Sequence, residues 1–113
     1  MKHYEVLISP AAVKQVKEIA RYISEELSNP IAAGSFLDHF RERIMKLDAF
    51  PEAYPLLDED PWKEKGVRKM MLKSFVAYFA VDAKRLQVIV LAVLYAGRNQ
   101  LRQLETLDFD VLL

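Results

Sequence analysis

Residues 88–95 read VIVLAVLY. A strand with one wet face alternates apolar and polar residues, whereas this run is apolar at both parities. Both of its faces must therefore be covered, as in a central strand. The run stops at Ala96-Gly97-Arg98-Asn99, well short of the ~20 apolar residues that a membrane-crossing helix needs. One core is available to cover the strand. A chain of 113 residues is expected to form a single domain over 1–113, and a chain of this size buries roughly 65% of its unfolded surface.

Two further apolar runs precede it, Val67 to Leu72 and Phe75 to Val81, separated by Lys73-Ser74, and Asp82 to Arg85 separates the second from Leu86 to Leu94. Short polar connections between such runs predict hairpins and an antiparallel meander. Nearer the N-terminus, Tyr4 to Ile8 reads as a first strand closed by Ser9-Pro10. Ser9 suits an N-cap, with Pro10 at the first helical position. Val13, Val16, Ala20, Ile23 and Leu27 then recur at helical steps, opposite a polar face whose Lys14/Glu18 and Arg21/Glu25 pairs are spaced for weak ion pairing. Ser28-Asn29-Pro30 breaks the pattern. Ala33, Phe36, Leu37, Phe40, Ile44 and Leu47 restart it, which predicts an αα-hairpin. The proline-bearing acidic stretch from Asp48 to Asp60 reads as a loop. The order β-α-α-β-β-β belongs to the α+β class.

Several chemistries are excluded or poorly supported. Sixteen basic and sixteen acidic residues cancel, so bulk charge nominates no nucleic-acid partner. Cysteine is absent, which removes thiol chemistry and disulfides. His3 and His39 stand alone, without a metal-ligand spacing, and Gly34, Gly66 and Gly97 form no phosphate loop. No metal or other cofactor is expected. The N-terminus lacks the apolar stretch of a signal peptide, and a soluble, cytoplasmic chain with no membrane partner is expected.

What remains is a cationic and phenolic set: Lys65, Arg68, Lys69, Tyr78, Tyr95 and Arg98. The start of one antiparallel strand can lie near the end of another, so Arg68 is expected to approach Tyr95 and Arg98. Cations there would hold phosphates, and a tyrosine would stack on a base or move a proton. A solvated edge strand, kept from aggregating by its lysines, is the plainer reading of Lys63 to Lys73.

The strand closed by Ser-Pro, the αα-hairpin, and the runs VRKMML, FVAYFAVD and VIVLAVLYAGRN, taken in that order, resemble the RelE/ParE superfamily of type II toxins, also known as plasmid stabilisation proteins. The resemblance spans roughly residues 4–100. It implies a toxin neutralised by a cognate antitoxin, acting either by metal-independent cleavage of mRNA at the ribosome or by poisoning DNA gyrase. It implies catalytic roles for Arg68, Tyr95 and Arg98, and substrate contacts for Lys65 and Lys69. Val76 stands where the ribonuclease prototype carries an arginine three residues before an aromatic, here Phe79. The target therefore stays open between mRNA and gyrase, and a non-toxic protein-binding module of the same fold is the alternative.

Overall fold

A computed structural model describes residues 3–96. It contains β1 (Glu5–Ile8), α1 (Pro10–Arg21), a π-helical turn (Tyr22–Glu26), α2 (Pro30–Met45), β2 (Val67–Leu72), β3 (Phe75–Asp82) and β4 (Gln87–Tyr95). Short 3-10 turns at Lys46–Asp48 and Pro51–Ala53 lead into the long loop. The expected α+β order and all three strands of the meander are present. The sheet order is β1-β4-β3-β2, with β4 between two neighbours. β2/β3 and β3/β4 are antiparallel, while β1 lies parallel to β4 from Glu5 opposite Gln87 to Ile8 opposite Val90.

Local chemistry explains each boundary. The Ser9 hydroxyl accepts from the Ala12 N–H at 3.1 Å, capping α1, and donates to the Leu91 carbonyl at 3.1 Å, tying that cap to β4. Ser9 is buried, so both bonds lie out of water. Ser9→Ala is expected to lose about 1–2 kcal/mol, read as a lower urea midpoint with an unchanged slope. Pro30 occupies the first position of α2 behind an Asn29 cap whose side chain accepts from the Ala32 N–H at 3.0 Å.

Both helices pack on one face of the sheet. Val16, Phe40, Ile44 and Leu47 meet Met70, Leu72, Ala77, Phe79, Val88 and Val90 there. The opposite face gathers Leu57 and Trp62 from the loop against Val67, Val76, Tyr78 and Leu91. β4 is therefore buried on both sides, as its composition requires. The helical stripe is shifted from the expected one. In α1 the buried residues are Ala12 and Val16 and Val13 is exposed, as is Leu27 just after the π-helical turn. The expected Lys14/Glu18 and Arg21/Glu25 pairs do not form; ion pairs join Lys46 to Glu42 and Arg85 to Asp82 instead.

The loop is fastened to β2 and to the residue that precedes β1. Its Leu57 N–H donates to the Val67 carbonyl and its Pro55 carbonyl accepts from the Lys69 N–H, covering part of the β2 edge. At its other end the Tyr4 phenol donates to the Glu52 carboxylate at 2.8 Å. That hydrogen bond, and secondarily burial, raises the phenol's pKa above its ordinary 10.0. The folded state thus binds this proton more tightly than the unfolded chain. The contribution is complete below the unfolded pKa and is lost as pH rises through the folded one. Tyr4→Phe is expected to flatten the alkaline decline of Tm above about pH 10.

Candidate functional site

Arg68 lies at the start of β2 with Phe79 opposite it, and Phe79 in turn faces Val90. Tyr95 ends β4 opposite Phe75. Four residues along β3 and two strand spacings across the sheet therefore separate Arg68 from Tyr95, about 17 Å between backbones. The expected approach of Arg68 to the end of the fourth strand does not occur, because register places them at opposite corners of the sheet. Arg98 lies outside the described residues, as does Gly97.

The Arg68 guanidinium is already engaged. Its Nη1 donates to the main-chain carbonyls of Tyr54 at 2.7 Å and Glu52 at 3.1 Å. It holds the loop's main chain rather than its carboxylates. Lys69, the next residue, is exposed and projects from the other face of the strand, which it shares with Val67. Lys65 is exposed in the turn that precedes β2. The structure thus distributes Arg68, Lys69 and Tyr95 over two faces and two corners. Tyr78 is buried, and burial alone pushes its phenol above the ordinary value, so it remains neutral at physiological pH.

Tyr95 belongs to a different feature. It is 62% exposed, and its ring stands edge-on to Phe75 with centroids 5.9 Å apart. Both line an open groove of about 840 Å³ between the helices and the end of β4, with Ile19, Tyr22, Ile23 and Leu27 on the far wall. The groove exists because β1 ends at Ile8 while β4 continues to Tyr95. Beyond that point helical side chains replace the strand, and Gln15 Oε1 accepts the Val93 N–H at 2.8 Å. The π-helical turn supplies the wall: the Leu27 N–H donates to the Tyr22 carbonyl, and this wider turn leaves Tyr22 and Leu27 each 55% exposed. Sequence reasoning assigned Ile23 and Leu27 to the core and did not find this groove. The available signal was the excess of apolar residues at the hairpin tip, where Ile31 is 82% exposed.

No group of three or more acidic or histidine side chains suited to a metal ion occurs among the described residues. No helix among them is long and apolar enough to cross a membrane.

An N-terminal strand, a helical hairpin and a three-stranded meander, with helices on one face of the sheet, give the α+β fold of RelE/ParE toxins. Solved structures agree. A chain of the chromosomal ParDE toxin–antitoxin system from P. aeruginosa superposes with a TM-score of 0.69 at 17% identity, over 84% of this chain and 98% of that one. One from a RelBE toxin–antitoxin complex of Mycobacterium tuberculosis gives 0.59 at 14% identity, over 86% and 97%. One from the intact E. coli RelBE complex gives 0.54 at 18% identity, over 84% and 99%. Comparison with curated proteins finds no match. Residues 6–100 match the family described as the ParE toxin of the type II toxin–antitoxin system parDE, and the chain belongs to that family.

Proposed function

We propose that this toxin arrests growth by contact with DNA gyrase and not by cutting mRNA. The observation that carries this reading is the commitment of Arg68. Its guanidinium is spent on the carbonyls of Glu52 and Tyr54, and about 17 Å of sheet separates it from Tyr95. A phosphate clamp needs cations converging within hydrogen-bond reach of one anion, and Arg68 and Tyr95 do not converge. Val76, which the resemblance sets where the ribonuclease prototype carries an arginine, is buried. The apolar groove beside Tyr95, lined by Tyr22, Ile23 and Leu27, suits contact with protein better than contact with nucleic acid. The cognate antitoxin is the partner that keeps the toxin silent, in keeping with the complexes in which similar folds are found.

Induced expression of the chain alone in a bacterial host tests the reading. The expected outcome is growth arrest with intact mRNA, altered plasmid supercoiling and a DNA-damage response. Codon-positioned mRNA cuts would overturn the gyrase assignment in favour of a ribonuclease. Unimpaired growth at good expression would leave a binding module.

A further inference from the structure

On the face of the sheet turned away from the helices, Val67, Val76, Tyr78, Leu91, Ala92 and Leu94 are all buried. Among the described residues, Leu57 and Trp62 are the only buried side chains from outside the strands that join this cluster. Both sit at its Val67 end. There the Val67 N–H donates to the Trp62 carbonyl, and the Leu57 N–H donates to the Val67 carbonyl. Val76 lies opposite Met71, four residues farther along β2, and Leu94 lies opposite Val76. That row is about 13 Å from the Val67 row, farther than an indole extends. Yet Val76 and Leu94 are only 1% and 9% exposed, while Met71, at the edge of the same row, is 51% exposed. Something other than the long loop screens Val76 and Leu94 from water.

The chain leaves β4 at this spot. The Ala96 N–H donates to the Ser74 carbonyl at 2.8 Å, and Ala96 packs against the same cluster. Residues 97–113 follow, reading GRNQLRQLETLDFDVLL. Even at helical rise such a length spans about 25 Å, more than the two strand spacings, about 10 Å, from β4 to the β2 edge. Leu101, Leu104, Leu107 and Val111 recur at steps of three and four, the spacing of one apolar stripe. Charge is divided along the segment: Arg98 and Arg102 come first, then Glu105, Asp108 and Asp110. The β2 edge carries the exposed Lys69 and Lys73, and neither forms an ion pair with a described residue.

We propose that residues 97–113 fold back over this face as the chain's own cover. Leu101, Leu104 and Leu107 would lie on Val76, Tyr78 and Leu94, with the carboxylates toward Lys69 and Lys73. In the toxin by itself the cover hides Lys69, so any nucleic acid or protein that uses this face must first displace the segment. Charge argues against a second copy as the occupant, because two such faces would set Lys69 and Lys73 against their counterparts. The loop's own carboxylates, Asp58 to Asp60, follow Leu57, which is held at the Val67 end. This face lies opposite the helices, and the proposal does not rest on the gyrase reading.

Cysteine is absent, so single cysteines can be labelled at chosen points of the full-length protein. A nitroxide on Met71→Cys, an exposed position in the screened row, is expected to erase most of the NMR amide intensity of residues 101–113. The same label on Lys14→Cys, on the exposed side of α1, should leave most of it. Leu104→Glu combined with Leu107→Glu should restore the signals under the Met71 label. Lys69→Glu with Lys73→Glu should restore them only in part, because exposed ion pairs contribute little. Unchanged amide positions through β1 to β3 confirm that the sheet persists in both variants. Full intensity beside the Met71 label would overturn the proposal and leave the face to a partner protein. Equal loss from both labels, or undiminished loss in the leucine variant, would overturn it as well. Loss transferred to isotope-labelled protein that carries no nitroxide would assign the cover to a second copy instead.

Discussion

Phe79→Ala is expected to lower stability by about 3–5 kcal/mol, a large share of what a domain of this size possesses. Phe79 is wholly buried in β3, in the core between sheet and helices. Its ring meets the Tyr54 ring edge-on at 5.8 Å and an interplanar angle of 84°. Its register partners are Arg68 on one side and Val90 on the other, beside the register shift between Tyr78 and Phe79. Truncation would empty the space where the long loop, β2 and β4 converge, and the surrounding strands cannot close on it without breaking ladder bonds. Urea denaturation should show the loss as a lower midpoint at constant slope. Phe79→Leu, which keeps most of the volume, should lose about 1.5 kcal/mol or less. A midpoint for Phe79→Ala near that of the wild type would show that this packing does not hold the loop.

Arg68→Ala is expected to lose about 2–3 kcal/mol, because two charge-assisted hydrogen bonds to main-chain carbonyls disappear together. Those bonds fasten the Glu52–Tyr54 stretch to β2, so proteolytic nicking of the loop should rise in parallel with the fall in Tm. Arg68→Lys retains a donor for the same carbonyls and should recover part of the loss. The pattern separates two roles. A loop clamp predicts toxicity that falls only as the folded fraction falls. A phosphate-binding arginine predicts lost toxicity at unchanged Tm, which would restore the ribonuclease reading.

Both outcomes bear on how far the site was legible. The cations and tyrosines singled out from the sequence are real surface or rim features in part, yet their proximity was inferred from strand order alone. Proximity depends on register, and register is a property of pairs of strands. Arg68 opposite Phe79 and Tyr95 opposite Phe75 could not be read from either segment separately. The groove was hidden for a related reason. Helical periodicity placed Val13 and Leu27 on the buried stripe of the first helix, but the π-helical turn at Tyr22–Glu26 rotates Leu27 out of that stripe, and the end of β1 leaves a stretch of β4 to be covered by Gln15. The turn between β2 and β3 carried no Asn-Gly or Asp-Gly signal; Lys73 adopts the positive φ of 61° itself.

Element identity and order were written in the chain, because they rest on local chemistry. Period-two and period-3.6 patterns, Ser9 ahead of Pro10, Asn29 ahead of Pro30, and a strand apolar on both faces each act within a few residues. Those signals suffice for the α+β class, for the central place of β4 and for the resemblance to the toxin superfamily. The parallel pairing of β1 with β4, the corner-to-corner separation of Arg68 and Tyr95, and the apolar groove depended on contacts between residues up to 82 positions apart, as in the bond from Ser9 to Leu91. Such contacts are selected by the packing of the whole core, and only the tertiary structure decides them.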